Sequence, residues 1–88
     1  MRVVMVEDSL ADVDVVLMAL ESAAVFTTTQ VFVDGASAIE YFEQVLINET
    51  NCPQLLILDL NLPKVRGPEL LRRLRALPWC GRTKVIVV

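Results

Sequence analysis

The chain has no histidine, and its two cysteines, Cys52 and Cys80, stand apart without CxxC spacing. Zinc sites and CxxC redox motifs therefore have no support. A disulfide between the two is open on these grounds but is not expected in a reducing cytosol. Glycine is scarce: there are three, and none lies in VEDSLAD, the segment that follows the first apolar run. Nucleotide-binding turns of the GxGxxG and P-loop kinds need glycine at that place, which removes both. No apolar run approaches the roughly 18 residues that span a bilayer. Excess basic charge is also missing, and a net charge of −3 with an isoelectric point near 4.7 argues against nucleic-acid backbone binding. The opening MRVVMVED lacks the apolar region and small-residue cleavage site of a secretory signal. A cytoplasmic protein without a membrane segment is expected.

Against these absences stands a hydrophobic fraction of 55% in 88 residues and a mean hydropathy of +0.54. Such a chain forms one domain at most, burying about 60–65% of its extended surface. Its charges are segregated. Apart from Arg2, every basic residue lies between Lys64 and Lys84. The run Arg72, Arg73 and Arg75 reads first as a solvated helix face, with an acidic partner surface as the alternative.

Residues 2–6, RVVMV, are a short β-branched run suited to a strand buried on both faces. Glu7 and Asp8 follow at its exit, and Ser9 with Asp12 resembles a capping box that opens a helix to about Ala23. Residues 28–33 form a second strand, and Asp34 and Gly35 supply the turn that caps a helix from about Ala36 to Ile47. Ile39, Phe42, Val45 and Leu46 make its apolar stripe. Residues 54–58 form a third strand ending at Asp59. Pro68 then opens a third helix packed through Leu70, Leu71, Leu74 and Leu77, Pro78 stops it, and KVIVV begins a fourth buried strand. Alternation at this spacing implies parallel βαβ units with right-handed crossovers.

Why should a chain this apolar end two strands on acids? Glu7 and Asp8 alone are accounted for by the dipole of the following helix, worth about 0.3–1 kcal/mol. Asp59 alone is accounted for as a turn acid before Asn61 and Pro63. Together, at strand exits that face one edge of an open sheet, they suggest a shared site. Like charges held close call for a cation, and magnesium takes hard oxygen ligands. Asp8 and Asp59 would supply carboxylates, the Asn61 main-chain carbonyl a third oxygen, and Glu7 a contact direct or through water.

MVEDS, followed by LILDLNLP with Lys64 and Gly67 after it, resembles the receiver domain of bacterial two-component response regulators over the whole chain. The resemblance implies a flavodoxin-like, doubly wound α/β fold of strand order 2-1-3-4-5, here reaching only the first four strands and three helices. It implies that Asp59 accepts a phosphoryl group from a histidine kinase while Glu7 and Asp8 hold Mg2+. In-line transfer of this kind depends on positioning and charge neutralisation. Such a phosphoacceptor, even with self-catalysed phosphorylation and dephosphorylation, is not a conventional enzyme. VEDSLAD with LDLNLPK is most like regulators that partner phytochrome-type kinases. Arg66 departs from the pattern, standing where an acid often precedes the glycine. The family's Ser or Thr after strand four, Lys ending strand five and aromatic switch in strand five have no counterpart in these residues.

Two rivals remain from this reading. A dehalogenase-like phosphatase also uses a strand-end aspartate, but its second aspartate would stand where this chain has Asn61, and its motif belongs on the first strand. A receiver-like module that binds partners without being phosphorylated is the stronger rival. On a helical wheel Leu10, Asp14, Leu17, Met18 and Glu21 share one side of the first helix. Leu10, Asp14 and Leu17 are the expected partner-docking residues, with later positions packing. Ending within an apolar strand at Val88 suggests a partial domain, and an apolar edge there predicts a homodimer or strand-exchanged oligomer.

Overall fold

The computed structural model describes residues 1–23, 27–59, 62 and 65–88. The strands are β1 (Arg2–Val6), β2 (Thr28–Phe32), β3 (Leu55–Leu58) and β4 (Lys84–Val87), and the helices are α1 (Leu10–Ser22), α2 (Gly35–Gln44) and α3 (Gly67–Arg75). All pairings are parallel, in the order β2-β1-β3-β4. This matches the sequence expectation for the first four strands of the doubly wound sheet. Among the described residues, no helix is long and apolar enough to cross a membrane.

Alternation along the strands divides the core in two. Val4, Val6, Leu56 and Leu58 face α2 and α3, meeting Ala38, Phe42, Leu46, Leu70 and Leu74. Val3, Met5 and Ile57 face α1, where Val13, Val16, Leu17 and Leu20 cover them. The helix expected to reach Ile47 ends at Gln44; of its expected stripe, Phe42 is buried and Ile39 half-buried against the core, Val45 is exposed, and Leu46 is buried just beyond the helix. Ala38, four residues before Phe42 and so on the same side, lets the helix lie close to the sheet. On α3, Leu70 and Leu74 carry the packing, with Leu71 and Leu77 half-buried.

KVIVV suits a buried strand by composition, yet β4 presents the apolar edge expected of it in this chain. It is an edge strand of the described sheet, and Ile86, Val87 and Val88 are exposed.

The amino edge of the sheet is closed by a set of cross-links. Thr83 donates its hydroxyl to the Pro53 carbonyl at 2.7 Å, and the Arg2 guanidinium donates to the Thr50 and Cys52 carbonyls. Short 3-10 turns, Glu49–Asn51 and Pro78–Cys80, precede β3 and β4. Trp79 donates its indole N–H to the Leu46 carbonyl at 2.6 Å. Contrary to the sequence expectation, Cys52 and Cys80 are joined in a disulfide, with Cα atoms 5.5 Å apart. In the chain-entropy account, a staple across their 28-residue separation stabilises by about 3–4 kcal/mol.

Gly35 begins α2 where the loop before α3 passes closest. A Cβ there would lie 2.3 Å from the Val65 carbonyl oxygen and 2.7 Å from its Cβ. We therefore expect Gly35→Ala to cost about 1–3 kcal/mol by overpacking. Thermal denaturation should show a midpoint lower by at least about 5 °C, and an unchanged midpoint would mean that this loop yields freely.

Candidate functional site

Strand register sets the site. Val6 pairs with Phe32 on one side and Leu58 on the other, so Glu7 and Asp59 are the next residues beyond a matched pair. Their amides continue the ladder: Glu7 N–H donates to the Phe32 carbonyl at 2.9 Å and Asp59 N–H to the Val6 carbonyl at 3.0 Å. Because Val6 and Leu58 point towards α2 and α3, the next side chains point towards α1.

One carboxylate oxygen from each of Glu7, Asp8 and Asp59 lies within 4.8 Å of the others. Glu7 is buried, at 6% exposure, Asp59 is half-buried and Asp8 is exposed. A cleft of about 290 Å³ opens beside them, lined by Glu7, Asp12, Val15, Val16, Asp59 and Val88. Asp12 and Val16 form the α1 wall. The sequence signal for Asp12 was its place in the first helical turn, which was accounted for by capping. The Ser9 hydroxyl does accept from Asp12 N–H, at 3.3 Å. Asn61, expected to offer a carbonyl oxygen, lies outside the described residues, as does Lys64.

Burial pushes the Glu7 carboxyl above its ordinary range. The Ser9 amide, donating to Glu7 Oε1 at 3.0 Å, pulls in the opposite direction, and the Asp59 and Asp8 carboxylates add to the rise. A buried carboxylate beside two others is a liability in an empty fold and an asset around a hard divalent cation. The donors are all carboxylate oxygens, which fits magnesium or manganese.

The docking residues expected on α1 separate. Leu10 is 68% exposed and Asp14 is exposed, whereas Leu17 is half-buried against the β1 and β3 side of the core. Val15 and Met18 are also exposed, and Val15 was not singled out by the wheel.

The raised Glu7 carboxyl has a measurable cost in the cation-free chain. Its folded state binds the proton more tightly than the unfolded state, so the penalty is absent well below pH 4.5, the ordinary value, and full above the raised one. Glu7→Gln retains the acceptor for Ser9 N–H. In the presence of chelator it should raise the melting temperature at pH 7 by a few degrees, with the gain disappearing on acidification. An equal gain at all pH values would assign it to packing.

The comparisons agree with this arrangement. The family profile described as response regulator receiver domain matches residues 3–88. Response regulator Rcp1 of Synechocystis sp. is 33% identical over 87 residues, covering 98% of this chain and 59% of that protein. The chain thus spans under two thirds of the curated relative that it matches. The crystal structure of the Mn(2+)-bound form of Rcp1 is similar with a TM-score of 0.82 at 33% identity, over 98% of this chain and 63% of that one. The bacteriophytochrome response regulator RtBRR gives 0.81 at 32% identity, over 98% and 54%. The phosphorylated cyanobacterial phytochrome response regulator RcpA gives 0.82 at 31%, over 98% and 62%. With two acidic strand exits meeting at one edge of a 2-1-3-4 parallel sheet, and a profile match over residues 3–88, the chain belongs to the response regulator receiver domain family.

Proposed function

We propose that this chain is a phosphoacceptor switch in which Asp59 receives a phosphoryl group beside a divalent cation held by Glu7, Asp8 and Asp59. The observation that carries this reading is the clustering of three carboxylates, from adjacent strand exits, within 4.8 Å. Asp59 is the nucleophile: a carboxylate oxygen forms the new O–P bond as the bond from phosphorus to the donor nitrogen breaks, leaving the electron pair on the donor imidazole. Glu7, Asp8 and Asp59 would hold the cation, Mg2+ in this reading, and its charge would offset that of the carboxylates and the incoming phosphoryl group. Glu7 is fixed by the Ser9 amide, and the Asp59 backbone is fixed by β1. The reacting group is thus held one residue beyond a strand end, where a ladder hydrogen bond fixes its backbone.

The donor partner is a histidine kinase. Similarity to regulators named for phytochromes supports the phytochrome type. Leu10 and Asp14, exposed beside the acidic turn, are the proposed docking residues, a small apolar anchor with a charged neighbour. Exposed Ile86, Val87 and Val88 on the β4 edge support self-association of this chain. The bare α1 surface formed by Leu10, Val15 and Met18 also suits a second reading, a partner-binding module that is never phosphorylated.

Intact-mass spectrometry after incubation with Mg2+ and acetyl phosphate separates the two. We expect one phosphoryl increment on the wild-type chain and none on Asp59→Asn. An increment that persists in Asp59→Asn moves the acceptor elsewhere, and none on wild type favours the binding module. Calorimetric titration with Mn2+ should show Asp8→Ala weakening affinity at least tenfold, about 1.4 kcal/mol; equal affinity would remove Asp8 from the cation site. Light scattering at high concentration should show dimers or larger species, and a monomer would count against pairing through β4.

A further inference from the structure

The basic charge of the chain divides into two groups in the fold. Arg72 and Arg73 are matched by Glu69 and Glu43 on α3 and α2, and the two arginines, Arg72 foremost, hold the Glu69 carboxyl down at about 2. Arg82 and Lys84 make no ion pair among the described residues. Both line an open depression of about 380 Å³ at the amino edge of the sheet, together with Glu49, Trp79, Thr83 and both cysteines of the disulfide. Arg75 joins them around an adjoining hollow of about 560 Å³. The disulfide therefore borders solvent-filled space edged by cations, at the opposite end of the sheet from the carboxylates.

We infer that Cys52–Cys80 is an exchangeable disulfide, a redox modification site open to small acidic thiols and dithiol reductants. Both residues are buried, Cys52 at 9% exposure and Cys80 at 1%, and the incoming thiolate is directed to the less covered residue, Cys52. A bond forms between the reductant sulfur and Cys52 Sγ as the Cys52–Cys80 bond breaks, and Cys80 leaves as a thiolate. A second reductant thiolate then attacks the reductant sulfur of this mixed disulfide. Cys52 is freed as a thiolate and the reductant is oxidised to its own disulfide. Two electrons pass to the cysteine pair and two protons from water complete the thiols. Exchange is favoured by cations that stabilise thiolates and attract an anionic thiol. Arg82 and Lys84 supply that charge, and Glu49 on the rim opposes it in part.

Opening the bond unties the turn before β4 from the segment before β3. Trp79, the only tryptophan, adjoins Cys80 in that turn and so reports the event. The test incubates the full chain in native glutathione buffers of graded oxidation, traps thiols by alkylation and reads intact mass. We expect two alkyl increments that grow with the reduced fraction, a parallel change in Trp79 emission, and a melting temperature about 10 °C or more lower in the reduced chain. A pair that resists glutathione and dithiothreitol until denaturant is added, or thiols that stay free in fully oxidised buffer, would overturn the inference. The role of charge is tested separately with Arg82→Glu and Lys84→Glu. Opening by glutathione should slow several-fold and opening by 2-mercaptoethanol less, because that reagent carries no charge beyond its reacting thiolate. No slowing with either reagent would remove the cations from the account.

Discussion

Parallel pairing of β1 with β3, Val6 against Leu58, is the constraint on which the rest of the molecule depends. It brings two strands to their ends at the same height, so that each delivers its acid one residue beyond the shared ladder. A slip of one residue in either strand would turn its side chains to the opposite face, sending an acid into the α2 and α3 packing and a valine or leucine to the cleft. The core resists such a slip. Val4, Val6, Leu56 and Leu58 are matched to one layer of helices, and Val3, Met5 and Ile57 to the other.

The same register makes the acidic edge costly. Glu7 is held in the low-dielectric wall of α1 beside two further carboxylates, and the Ser9 amide compensates it only in part. A cluster with the donors a hard cation would need is therefore a cost to stability at this edge. A folded chain tolerates the cluster because the opposite edge is tied down, by Thr83 to Pro53, by Trp79 to Leu46 and by the disulfide. The two ends of one short sheet do different physical work.

Much of this was legible in the sequence for reasons that can be named. RVVMV and LLIL are apolar runs that suit only buried strands, and Ser9 and Asp34 cap the following helices through Asp12 and Ser37 amides. The acids were legible because each terminates such a run. The stripe on α2 fails at Val45, because the helix ends at Gln44 and Val45 is its cap, while Ala38 and Phe42 share its buried side. Leu17 was assigned to an outer face, and its half-burial follows from the way α1 lies across β1 and β3. The disulfide was left open and not expected, because the cysteines become neighbours only when Leu55 pairs with Lys84, a long-range event that chain spacing does not encode.

Charge has been distributed along the strand axis as well. Among the described residues, Glu7, Asp8, Asp12, Asp34 and Asp59 stand at the carboxyl edge with Arg66, while Arg2, Arg75, Arg82 and Lys84 stand at the amino edge with Glu21 and Glu49. These described charges are consequently arranged as a dipole along the strands, in a chain of net charge −3. An electropositive surface approaching it exerts a torque that turns the carboxyl edge forward before any contact is made, over a range that ions at about 0.15 M limit to roughly 8 Å. Orientation at encounter is in this sense already written into where the two kinds of charge fall on the sheet.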